Sequence, residues 1–247
     1  MRTSNPVLND KAFEREHAFP GVAPMTIGGT VNKSAMLLGL VIVPAVYTWT
    51  LFFANPENPS AVFPWMLGGL VAGLVLALVT VFKHTWSPIT APLYAIAEGL
   101  LLGGLSAIFE QRYKGIVVQA VGLTFGVLFA LLMAYKSGII KATENFKLGV
   151  VAATGGIALL YLVSMGMSFF GMQMPYIHES GPIGIGFSVF VVIIAALNLV
   201  LDFDFIEKGA ERGAPKYMEW YAAFGLMVTL IWLYLEILRL LAKTRRR

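Results

Sequence analysis

The chain has 247 residues, 57% of them hydrophobic and only 13% charged, with a mean hydropathy of +0.75. A soluble domain carries about twice that share of charge, so a water-soluble fold is excluded. The net charge of +4 is not a nucleic-acid signature, because the bases lie in loops and tails as membrane insertion asks, and the absence of cysteine excludes disulfides, thiolate metal sites and a cysteine nucleophile.

Residues 1–33 are polar and mixed in charge, with Pro6, Pro20 and Pro24. No short apolar core with a small-residue cleavage site appears near the start, so no cleaved signal peptide is expected. The segment reads as a cytoplasmic tail with a short interfacial helix around Lys11–His17. A helix needs roughly 20 apolar residues to cross a bilayer. Such runs fall at about Ser34–Phe53, Val62–Phe82, Ser87–Phe109, Ile116–Tyr135, Leu148–Phe170, Pro182–Leu201 and Glu219–Ala242. They define one transmembrane domain over residues 34–242, followed by a basic tail at 243–247. Asn55–Ser60 is a tight turn, Lys136–Lys147 a basic loop and Gly171–Gly181 a loop with one His and one Glu. Pro44 loosens the first run, while Pro88 and Pro92 sit in an opening turn where proline is tolerated. Glycines recur at four-residue spacing as Gly69 and Gly73, Gly99 and Gly103, Gly122 and Gly126, which predicts close helix packing.

Lys and Arg near the run ends place the N-terminus in the cytoplasm. The rule holds up to the sixth run. Lys243 and the arginines at 245–247 then break it if the seventh run crosses fully, and keep it if that run is re-entrant. Its length favours a crossing.

The chemistry lies in acids placed where hydrocarbon is expected. A charge near the bilayer core costs a few kcal/mol or more, so such acids are functional candidates by default. Asn198 and Asp202 are four apart and share a helix face, while Asp204 points elsewhere or lies already in the loop. The plain alternative is that both aspartates mark the wet end of the sixth helix. Glu219 opens the seventh helix, where an acid suits the helix dipole. Glu236 has Arg239 three residues on, which suits a structural ion pair. Glu98 sits in the middle of AIAEGLLLGG, far from any charge, and must face a partner, a cavity or water. Oxygen ligands suit hard cations such as Ca²⁺, and two acids held close share a proton. Such acids make a proton-sensitive latch. An enzyme is not expected: His17, His84 and His178 fall outside the apolar cores, and neither an HExxH motif nor a GxSxG elbow is present.

The segments SPITAPLYAIAEGLLLGGLS (Ser87–Ser106), ALNLVLDFDFIEKG (Ala196–Gly209) and GLMVTLIWLYLEILRLL (Gly225–Leu241) resemble the Bax inhibitor-1 family, in its bacterial YccA-like branch. The resemblance implies an all-α membrane protein, a seven-helix bundle whose last helix is central. It implies a pH-sensitive Ca²⁺ leak and a stress-protective role. The family's gating acid on the sixth helix maps onto Asp202. Aligning the pattern of the last helix on Leu233–Arg239 puts Thr229 at the second acid position and Glu236 at the later one. The family's arginine before S-P-I maps near Thr85, with Lys83 and His84 as its basic neighbours.

The expectation is therefore a pH-sensitive Ca²⁺ leak channel in a bacterial inner membrane. Asp202, Asp204, Glu98, Glu219 and Glu236 are its gating or ion-binding acids, and Asn198, Thr229, Arg239 and His84 support them. No resident cofactor is expected; Ca²⁺ would be held in passing by Asp202 and Glu236. The expected partners are the lipid bilayer, Ca²⁺ and protons. The competing expectation is a regulatory protein that binds an FtsH-like membrane protease through residues 1–30.

Overall fold

The computed structural model describes residues 23–54, 57–172 and 181–246. The expected helix at Lys11–His17, with His17 and His178, lies outside them. Seven helices follow in order: α1 (Ile27–Ala54), α2 (Phe63–Phe82), α3 (Ser87–Arg112), α4 (Ile116–Lys136), α5 (Glu144–Phe169), α6 (Pro182–Glu211) and α7 (Met218–Arg245). All are long and apolar enough to cross a membrane. Among the described residues the chain is an all-α membrane protein with seven helices of spanning length.

Three helix ends differ from the sequence reading by a full turn or more. α1 begins at Ile27, inside the segment read as a polar tail. Its first turns are held by side-chain bonds to the start of α7, described below. α5 begins at Glu144, so Lys147 is helical and buried rather than a loop residue. Thr143 caps this helix by accepting the Phe146 N–H at 3.3 Å. α6 runs on to Glu211, which puts Asp202 and Asp204 inside a helix. α7 is unbroken over 28 residues. At about 1.5 Å per residue it is longer than the roughly 30 Å hydrocarbon core, so the last run is long enough to cross without a break.

The helices sort into two compact units. The first holds the described residues up to Lys114 together with Phe205–Met227. Here α3 is the inner helix: half of its most apolar window is buried, against 22% for α1 and for α2. The small residues explain why. A Cβ on Gly99 would meet Val41 O and Pro44 Cγ, and one on Gly103 would meet Ala45 O, so glycine lets the α1 and α3 backbones touch. Gly69 does the same for α2 against the Ala97 carbonyl. Gly122 and Gly126 show nothing within 4 Å, so the third glycine pair does not serve close packing. Phe52, Val62, Met66 and Ala107 fill one end of this unit.

The second unit holds Gly115–Asp204 and Val228–Arg247. Its inner surface is made by α6 and α7, and α7 has the highest buried share of the seven at 61%. α4 and α5 bury only 17%. Their outer faces show Val118, Met133, Leu148 and Leu159. So much exposed apolar surface would aggregate in water and is what lipid requires.

Candidate functional site

Every expected acid is placed on a helix, and each sits in its own surroundings. In the first unit Glu219 lies in the first turn of α7 and is fully buried. Its carboxylate accepts from Thr26 N and Thr26 Oγ1, both at 2.9 Å, and from Lys216 Nζ at 2.7 Å. It also pairs with the Lys33 ammonium, which lies over the Trp220 ring. A Cβ on Gly29 would fall onto this carboxylate. Glu219 thus clasps the start of α1, helped by Met25 N donating to Ala214 O at 2.7 Å. It is an anchor rather than an open ligand.

Glu98, in the middle of α3, is half-buried and accepts from the Tyr94 hydroxyl. Gly73 of α2 leaves the room it occupies, since a Cβ there would come within 3.2 Å of Glu98 Oε2. Tyr94 in turn packs edge-on against Phe224. His84, in the turn before α3, stands edge-on to Tyr221 at 4.7 Å. An imidazole so placed packs its ring against the start of α7.

In the second unit Asp202 is fully buried on α6. One turn away, Asn198 donates to Thr154 Oγ1 of α5 at 2.9 Å and to the Ile194 carbonyl at 2.8 Å. Asp204 is held by the buried Lys147 ammonium at 2.8 Å, and Glu144 reaches the same lysine at 3.4 Å. Neither aspartate marks a wet helix end. Thr229 is buried on α7.

Glu236 carries the densest network. Its Oε1 accepts from Tyr161 at 3.0 Å, from Trp232 Nε1 at 3.3 Å and from Arg239 Nη1 at 2.8 Å. The same Arg239 nitrogen donates to the Tyr161 hydroxyl at 2.9 Å. One turn on, the buried Lys243 donates to Ser188 Oγ at 2.8 Å and to the Gly184 carbonyl at 3.1 Å. Arg245 reaches Gln119 at the start of α4 at 2.7 Å. The C-terminal end of α7 therefore lies where α4 and α6 begin.

The structure brings Asn198 and Asp202 together on one face, and Glu236 together with Arg239. It adds Lys147, Thr154, Tyr161, Lys243 and Thr26, which the sequence reading did not single out. The signal for three of them was present: Lys147, Thr154 and Tyr161 are seven apart. Among the described residues no three or more His, Asp or Glu side chains gather as a metal site would need. Glu219, Glu236 and Asp204 already face cations of the chain itself.

No curated protein and no solved structure shows significant similarity to the chain. The family model described as Bax inhibitor 1 like matches residues 5–246, nearly the whole length and all seven helices. The chain belongs to the Bax inhibitor-1-like family of membrane proteins.

Proposed function

We propose that the protein is a pH-responsive cation leak channel of a bacterial inner membrane, in the manner of YccA-like family members. Its N-terminus lies in the cytoplasm, Ca²⁺ is the permeant ion, and Asp202 is the acid that responds to pH. The observation that carries the reading is the burial of Asp202: its carboxyl is fully enclosed in a spanning helix, one turn from a second buried polar group, Asn198. A buried intramembrane acid exists in two charge states of very different solvation cost. Proton loss or gain there changes how well the helix around it stays packed, and so ties opening to pH.

The test is Ca²⁺ entry into vesicles holding the purified protein, with the wild type and Asp202→Asn compared across external pH. The reading expects the wild-type flux to depend on pH and the variant to lose that dependence. An unchanged pH profile in the variant removes Asp202 from the gate. Wild-type vesicles no leakier than protein-free ones overturn the channel. They leave the regulatory alternative, in which deleting residues 1–30 abolishes binding to a membrane protease.

A further inference from the structure

We propose that the ion route runs along the seam where α5 faces α6 and α7, with Ile157, Val191 and Ile194 as its apolar gate. The inference rests on the leak reading above and names the path and the barrier. Lys147, Thr154 and Tyr161 of α5 are seven residues apart, so they fall on one face. Each is bonded across to another helix: Lys147 to Asp204, Thr154 to Asn198, Tyr161 to Glu236. At about 1.5 Å per residue, the line from Lys147 to Tyr161 covers about 21 Å of a core roughly 30 Å thick. Beyond Tyr161 it continues through Arg239, and Lys243 with Ser188 lies one turn further along α7. The polar line thus reaches across most of the bilayer within a single unit.

Helix packing alone does not require such a line. Ser, Thr and Asn suffice to hold crossing helices together. Here two of the three rungs carry charges, and charged groups in spans mark ion paths. The opposite face of α5, with Leu148, Leu159 and Leu162 more than half exposed, is lipid-facing. Charges of both signs meet along the seam: Lys147 faces Asp204 and Glu144, and Arg239 faces Glu236.

The rungs are about 10 Å apart by the same helical rise, too far for direct transfer between them. Conduction therefore needs water in the gaps. Between Thr154 and Tyr161 the gap is filled by apolar side chains: Ile157 packs on Val191 and Ile194, with Phe187 and Trp232 against them. An apolar constriction of this kind closes a path by excluding water.

The chain has no cysteine, so single cysteines report cleanly. Place them at Thr154 and Tyr161 on the seam and at Leu159 and Leu162 on the lipid face. Treat the reconstituted full-length variants with a charged, membrane-impermeant thiol reagent, and measure Ca²⁺ flux through the wild type, Ile157→Ser and Val191→Thr. The seam cysteines are expected to react at least tenfold faster than the lipid-facing ones. Flux is expected to rise several-fold in both gate variants; Val191→Thr conserves volume and guards against misfolding of the first. Wild-type flux with inert seam cysteines and unchanged gate variants overturns the route and leaves the leak reading intact. Reactive seam cysteines with no flux from any variant overturn the leak reading and the route with it.

Discussion

Glu219 allows the sharpest test of how the fold is held. Its carboxylate is fully buried, the Lys33 side chain that pairs with it is 17% exposed, and that of Lys216 is 47% exposed. Glu219→Gln keeps an acceptor for the Thr26 N–H but leaves Lys33 enclosed without a counter-charge. Breaking a buried pair costs about 3–5 kcal/mol; the Trp220 ring over Lys33 places this case near the lower end. Lys216 is half in water, so Lys216→Ala costs less than about 1 kcal/mol. Gly29 gives a test of sign. Alanine in place of a helical glycine normally stabilises by roughly 0.5–1 kcal/mol. Here the added methyl would fall on the Glu219 carboxylate, so Gly29→Ala destabilises. In a Glu219→Ala background the same change becomes neutral or favourable, because the obstacle is gone. Thermal unfolding of the detergent-purified protein, followed by tryptophan fluorescence, reads this out. At about 2–4 °C per kcal/mol for a chain of this size, Glu219→Gln lowers Tm by roughly 6–12 °C. A Gly29→Ala variant more stable than wild type, or a Lys216→Ala variant as damaged as Glu219→Gln, would refute the clasp.

Tyr161→Phe removes one neutral donor from Glu236 and leaves Arg239 and Trp232 in place, so it costs about 1 kcal/mol in the same assay. Gly103→Val pushes a side chain into the Ala45 carbonyl. It should cost more than about 3 kcal/mol or abolish folding, seen as loss of the monodisperse peak on size exclusion. Gly122→Ala, with open space around it, should be neutral or stabilise by up to about 1 kcal/mol. Asn198→Leu leaves Thr154 without its cross-helix donor and costs about 1–3 kcal/mol, measured by unfolding, whereas Thr154→Val costs less because Asn198 keeps the Ile194 carbonyl.

The spans were legible because lipid imposes one strong rule: roughly 20 apolar residues with satisfied backbone. Their ends were less so. Hydropathy stops at the first charge, and here charges continue inside helices because partners from elsewhere in the sequence meet them. Lys33 is carried in α1 by Glu219, and Asp204 in α6 by Lys147. Lys147 shows the cost of reading charge alone: a lysine beside a polar stretch looked like loop, yet the structure buries it. The acids themselves stood out against the apolar background, but their partners lie far along the chain. Glu219 bonds Thr26 across 193 positions and Tyr161 bonds Glu236 across 75. Only the period of seven along α5 could have pointed to Lys147, Thr154 and Tyr161. The glycine pairs were half legible, since spacing says which residues share a face but not whether a helix lies against it.

Whether the protein is a pH-gated leak is decided by Ca²⁺ entry into sealed vesicles containing only the wild-type protein, while external pH is stepped through the range where carboxyl groups change charge. A pH-gated leak gives entry well above that of protein-free vesicles, rising or falling reversibly with pH. Entry equal to the protein-free background at every pH, or above it but indifferent to pH, would contradict it.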